Sequence, residues 1–69
     1  MKHRDFLQQV GLEIRVARIR KGLSTRDVGE MTGLSADTIN YMERGLRDAK
    51  ILSYKRVADA LQVDMKDFL

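Results

Sequence analysis

The sequence predicts an all-α domain, and three observations support that prediction. The chain has no Pro and only five scattered Gly, so few residues oppose helix formation. Its apolar residues recur at spacings of three and four, which is the period of an amphipathic helix. Residues that begin and end helices stand between these periodic segments. With 69 residues, we expect one domain around one core.

The first two predicted helices are defined by their inward residues and their caps. The first covers residues 5–21, ends at Gly22, and has the inward stripe Phe6, Val10, Ile14 and Ala17. Ser24 is a natural N-cap for the second helix, residues 25–31, because its hydroxyl can accept from the first turn. Asp27 adds favourable charge in that turn, and Val28 and Met31 are predicted to face the core.

Three further helices are predicted after Gly33. Ser35 caps the third, residues 36–44, which ends at Gly45 and is followed by a polar loop at 46–49. The fourth covers residues 50–61, and its predicted buried side chains are Leu52, Val57, Ala60 and Leu61. Asp64 then caps a short fifth helix that contains Met65, Phe68 and Leu69. The prediction is a compact five-helix bundle.

The stretch from Thr25 to Arg44 reads as two short helices joined by a tight turn. A bulky side chain at Gly29 would hold the two helices apart, and Gly33 permits the positive φ of a sharp exit. Leu34, Ile39 and Met42 would fix the second helix against the core. Such a pair commonly places its second helix in the major groove of DNA. An ordinary helical hairpin in a small bundle is the alternative.

Four segments, taken in order, resemble the Xre-like helix-turn-helix family, which includes the lambdoid phage repressor and Cro proteins. They are IRVARIRKGLS (14–24), TGLSADTI (32–39), YMERG (41–45) and VADALQVDMKDFL (57–69). The resemblance runs from about Val10 to Leu69. It implies one lambda-repressor-like DNA-binding domain over residues 1–69, with helix 2 at about 25–31 and a recognition helix at about 36–44.

The resemblance also implies roles for single residues. It places Ala36, Asp37 and Tyr41, with Asn40 beside them, against base edges. Candidates for phosphate contact are Thr25, Ser35, Thr38 and Arg44, supplemented by the basic residues Arg26 and Arg47. Arg15, Arg20, Lys21 and Lys50 could add further phosphate contacts, although a solvated basic face is the simpler interpretation.

The base-facing set departs from the family pattern, which often has Gln or Arg there and Gln in place of Thr25. Ala36 offers only an apolar contact, for example to a thymine methyl, whereas Asp37 can accept from a cytosine amino group. Asp37 can equally complement the helix dipole, and so can Arg44 at the opposite end. A solvated ring is the alternative for Tyr41.

Two further hypotheses concern the support and the assembly of the domain. In the family, an Arg on helix 1 pairs with a Glu late in helix 3, and Arg18 and Glu43 match those positions; unrelated surface charges are the alternative. A second apolar stripe on helix 1, at Leu12, Val16 and Ile19, predicts a homodimer contact or a docking site for a protein partner. The family precedent favours instead a dimer built near helix 5.

Composition excludes several classes of function. The chain has no Cys and only one His, His3, so neither a disulfide nor a metal cluster is expected, and no cofactor is implied. Paired catalytic groups and a phosphate-binding Gly loop are lacking, so we expect no enzyme and no small-molecule substrate. No apolar run reaches the roughly 18 residues of a membrane span. A net charge of +3 and a pI near 9.6 are compatible with nucleic acid.

The expected function is therefore sequence-specific binding of double-stranded DNA by a transcriptional regulator. We expect a homodimeric repressor on a palindromic operator, in the cytoplasm and at the nucleoid of a bacterium or phage-infected cell. Two alternatives stay open. One is an antitoxin-type module that binds a protein and autoregulates its operon. The other is the controller protein of a restriction–modification system.

Overall fold

A computed structural model describes residues 3–46 and 50–64, with side chains from residue 6 onward. Within these ranges the fold is four α-helices without a strand: α1 (His3–Arg20), α2 (Thr25–Thr32), α3 (Ala36–Glu43) and α4 (Ile51–Ala60). The all-α prediction is confirmed, but the described part of the chain has four helices rather than five. The predicted fifth helix, with Met65, Phe68 and Leu69, lies outside the described residues.

The helix boundaries follow from local capping chemistry. Ser24 and Asp27 form a reciprocal capping box, in which the Asp27 N–H donates to Ser24 Oγ at 3.0 Å and the Ser24 N–H donates to Asp27 Oδ2 at 2.9 Å. The hydrogen bond from the Ser24 backbone N–H to the Asp27 carboxylate is the main cause of the lowered pKa of Asp27. At the other end of α2, Gly33 adopts a left-handed conformation with φ +77°. For these four helices, each predicted boundary is within two residues of the observed one.

The core combines residues from all four helices. Its fully buried side chains are Leu7, Val10, Ile14, Val28, Ile39, Met42, Tyr54, Val57 and Leu61. Phe6, Ala17 and Leu34 pack against this cluster and are partly buried. The core therefore fixes α1 against α3 and α2 against α4, and it leaves one face of α3 outside.

Two predicted core residues are instead exposed. Met31 is 52% exposed, and Thr32 is the buried residue at the end of α2. Thr32 tolerates burial because its hydroxyl donates to the Val28 carbonyl at 2.8 Å. Leu52 is 73% exposed, because the inward side of α4 is the set Tyr54, Val57, Ala58 and Leu61. Ala60 is only half-buried.

Candidate nucleic-acid interface

The turn between α2 and α3 brings the two helices into backbone contact. A Cβ atom built on Gly29 would lie 2.5 Å from the Leu34 carbonyl oxygen, so only glycine fits without moving the turn. The Gly29 carbonyl accepts from the N–H groups of Gly33 and Leu34, at 2.8 and 3.0 Å. The chain thus leaves α2, turns sharply, and enters α3 at a fixed angle.

The two sides of α3 differ completely in their surroundings. Ile39 and Met42 are fully buried and hold the helix on the core. The predicted base-facing residues lie on the opposite side, which we call the outer face: Ala36, Asp37, Asn40 and Tyr41. Asp37 and Asn40 are exposed, Tyr41 is 44% exposed, and Ala36 is half-buried. The structure therefore brings these four residues together on one accessible surface.

The predicted phosphate-contacting residues cluster at the ends of α2 and α3. Thr25 is the first residue of α2, and Arg26 follows it with an exposed side chain. Ser35 Oγ accepts the Thr38 N–H at 3.1 Å and lies 2.8 Å from Thr38 Oγ1. The Ser35 hydroxyl thus caps α3, and it and the Thr38 hydroxyl can each form one further hydrogen bond.

Two exposed arginines, Arg26 on α2 and Arg44 at the C-terminal end of α3, add positive charge to these elements. Arg44 is the C-cap residue of α3, not a helical residue as predicted, and its side chain is exposed. Neither Arg26 nor Arg44 forms an ion pair within the described part of the chain. Both cations are therefore available to an anion. The predicted phosphate ligand Arg47 lies outside the described residues.

Arg18 and Glu43 form an ion pair under the C-terminal end of α3. Arg18 Nε donates to Glu43 Oε2 at 2.6 Å, and Arg18 Nη2 donates to Glu43 Oε1 at 3.0 Å, which is the two-pronged geometry of a strong pair. The side chains are only 15% and 6% exposed. The hydrogen bonds that Arg18 donates to Glu43 raise the pKa of Arg18 above its ordinary value. Arg18 Nη1 also donates to the Leu23 carbonyl at 2.9 Å, so one side chain joins α1, the α1–α2 loop and α3.

Gly11 is a second support for α3, and the sequence reasoning missed it. A Cβ atom there would overlap the Met42 carbonyl oxygen and would lie 2.8 Å from the Glu43 carbonyl oxygen. The end of α3 therefore rests directly on the backbone of α1. A glycine in the middle of a predicted helix, on its inward side, was the signal for this close approach.

Other kinds of site find little support in the described residues. Within 3–46 and 50–64 no group of three or more His, Cys, Asp or Glu side chains is arranged to hold a metal ion. None of the described helices is both long and apolar enough to cross a bilayer. The outer face of α3, with Arg44 at its C-terminal end, therefore stays the candidate site.

Comparison with known proteins agrees with this geometry. A family model described as a helix-turn-helix domain matches residues 9–67, which is most of the chain. No curated protein matches the sequence. The matched range includes α2, the turn, α3, and both residues of the Arg18–Glu43 pair. The chain therefore belongs to this helix-turn-helix family of Xre-like and Cro-type domains.

Proposed function

We propose that this protein is a transcriptional regulator that binds double-stranded DNA in a sequence-specific manner and acts as a homodimeric repressor. One observation carries the proposal: close contacts at Gly29, at Gly11 and in the Arg18–Glu43 pair hold α3 at both of its ends, while its outer face is largely exposed. A helix of eight residues is about 12 Å long, which fits a major groove about 12 Å wide. A rigid helix with an exposed polar face is what base readout requires.

The outer face predicts an unusual base preference. Asp37 accepts hydrogen bonds and donates none when ionised, so its partner among base edges is the amino group of cytosine. Asn40 lies one turn further on and suits adenine, to which an amide can both donate and accept. Ala36 and Tyr41 supply apolar contact, for which a thymine methyl is the natural partner. These roles are part of the proposal.

Phosphate contacts would hold α3 in register without reading sequence. We assign them to Thr25, Arg26, Ser35, Thr38 and Arg44. Arg47, between α3 and α4, belongs to the same proposed set. Arg26 on α2 and Arg44 at the C-cap of α3 are exposed and form no ion pair within the described residues, so each could bind a backbone phosphate.

Dimerisation would supply the specificity that one short helix lacks. A two-fold dimer reads two half-sites about 34 Å apart, so the operator would be an imperfect palindrome. Occupancy of such an operator near a promoter would block polymerase, which is why we propose repression. The cytoplasm, at the nucleoid, is the corresponding location.

Selection of bound sequences from a randomised duplex pool tests this function directly. We expect an enriched palindrome that contains cytosine at the position facing Asp37. Asp37→Asn should change that base to adenine and leave the rest of the motif intact, because the amide pairs with adenine. Asp59→Asn, which removes the same charge from an exposed site on α4, is the matched control. A pool without enrichment, together with absence of binding at low salt, would reject the function.

A protein-binding role is the second candidate, and exposed apolar side chains favour it. Met31, Ile51 and Leu52 are 52%, 47% and 73% exposed. Such residues suit an antitoxin that covers a partner protein while it regulates its own operon. Genes beside this one that encode a toxin would favour that role, whereas a neighbouring methyltransferase would favour a restriction–modification controller.

A further inference from the structure

The outer side of α1 carries an apolar stripe that is largely exposed in the described structure. We call Leu12, Val16 and Ile19 the α1 stripe. Leu12 and Ile19 are 54% and 55% exposed, and Val16 is half-buried. Val10, Ile14 and Gly11 on the opposite side of α1 contact the core and α3. The α1 stripe and the outer face of α3 are therefore separate surfaces, and both can be occupied at once.

Charged residues border the α1 stripe in a definite pattern. Glu13 and Arg20 are seven residues apart, so they fall on the same flank of the stripe, and Arg15 lies on the other flank. Neither Glu13 nor Arg20 has a hydrogen bond or an ion pair within the described residues. Two opposite charges thus stand unpaired on one flank of the stripe, three residues before and four residues after Val16.

We infer that the α1 stripe is a self-association surface on which α1 of a second copy packs in the antiparallel direction. This inference specifies the homodimer of the proposed function. Antiparallel packing about a two-fold axis near Val16 brings Glu13 against Arg20 of the second copy, and the symmetry makes this pair twice. Parallel packing would instead place Arg15 against Arg20 of the second copy. Like charges at those positions disfavour the parallel arrangement.

The surroundings of Glu13 agree with this packing. A groove of about 350 Å³ runs between α1 and the segment 62–64 that follows α4, and Glu13, Val16 and Arg20 line its α1 side. It leaves room beside Glu13 for the long side chain of Arg20 from the second copy. The same contact would bury the exposed parts of Leu12 and Ile19.

Two arginine variants test the orientation. Arg20→Glu and Arg15→Glu change the net charge equally and both lie on exposed sites of α1. In sedimentation equilibrium without DNA, Arg20→Glu should weaken self-association about tenfold, because two attractive pairs become repulsive. Arg15→Glu should leave it unchanged. The double variant Glu13→Arg/Arg20→Glu should restore dimer formation, because it recreates the pair with its signs exchanged.

Disulfide trapping gives an independent test, because the chain contains no Cys. Val16→Cys lies near the proposed axis and should form a covalent dimer on oxidation. Two copies of Leu12→Cys would be separated by about 13 Å along the helices, which is too far for a disulfide. Equal trapping at both positions would overturn the antiparallel arrangement.

The failure of this inference can be separated from the failure of the proposed function. A wild-type chain that stays monomeric in sedimentation, or Arg15→Glu and Arg20→Glu variants that behave alike, would overturn the α1 surface. Gel shifts with random duplex DNA on the same samples report the function independently. Absence of DNA binding by the wild-type chain rejects the function. A monomeric wild-type chain that binds DNA rejects the α1 surface and the homodimer together, whereas a chain that dimerises and binds DNA but does not distinguish Arg15→Glu from Arg20→Glu rejects only the α1 surface.

Discussion

Replacing Glu43 by alanine is expected to destabilise the domain strongly. The change removes two hydrogen bonds, of 2.6 and 3.0 Å, from an Arg18 side chain that is only 15% exposed. Breaking a fully buried pair costs about 3–5 kcal/mol, because a buried charge is left unpaired. Water still reaches part of Arg18, and its bond to the Leu23 carbonyl remains, so we expect about 2–3 kcal/mol.

That loss is large for a domain of this size. A chain of 69 residues has a free energy of unfolding of about 3–10 kcal/mol. The melting temperature of a small domain falls by about 4–8 °C per kcal/mol, so Glu43→Ala should melt about 8–24 °C lower. DNA binding should weaken as well, even where the variant is folded, because the end of α3 loses one of its two supports.

Urea and thermal unfolding followed by circular dichroism measure this effect. Glu30→Ala is the matched control, since Glu30 is exposed on α2 and forms no ion pair in the described structure. The double variant Arg18→Met/Glu43→Leu should be more stable than Glu43→Ala, because neither charge is left alone. A Glu43→Ala variant within about 0.5 kcal/mol of the Glu30→Ala control would refute the reasoning.

Three further predictions address the turn, the α2 cap and the phosphate contacts. Gly29→Ala should lower the free energy of unfolding in urea by about 1–3 kcal/mol, because its Cβ meets a backbone carbonyl at 2.5 Å. Gly22→Ala has open space around it and should lower it by about 1 kcal/mol, from its positive φ alone. Asp27 has a lowered pKa, so its contribution to stability is complete above the ordinary Asp pKa and is lost as pH falls through the lowered value. The melting difference between wild type and Asp27→Asn should therefore shrink towards low pH, and a constant difference would contradict the cap. In gel shifts, Arg26→Ala and Arg44→Ala should each reduce the slope of log affinity against log salt by about one, and unchanged slopes would count against their phosphate contacts.

The sequence predicted the helices well because their caps are local chemistry. Ser24, Ser35 and Gly33 begin or end helices through bonds that span four residues or fewer, and such signals are visible in the chain itself. Which side of each helix faces the core was harder to predict. Met31 was expected inside because it is apolar, yet α2 meets α3 through Gly29, and the neighbouring Thr32 satisfies its own hydroxyl.

Long-range contacts were predictable only where a pattern had been seen in a related family. The Arg18–Glu43 contact joins residues 25 positions apart, and no periodicity within the chain indicates it. Tyr54 was not among the predicted core residues. Its burial depends on a hydrogen bond to the Leu46 carbonyl, in the segment that precedes α4. The contact of Gly11 with the end of α3 likewise depends on how two distant helices cross.

The division of α3 into a buried side and an outer face has an evolutionary consequence. Ile39 and Met42 secure the helix, whereas Asp37, Asn40 and Tyr41 contribute little to holding the fold together. Mutations on the outer face should therefore be nearly neutral for folding, even when they change the bases that are preferred. Single substitutions could then change the preferred operator without destabilising the fold, so no compensating mutation would be needed. The same scaffold could diverge quickly into many regulators, and it could accept a grafted recognition face in the laboratory.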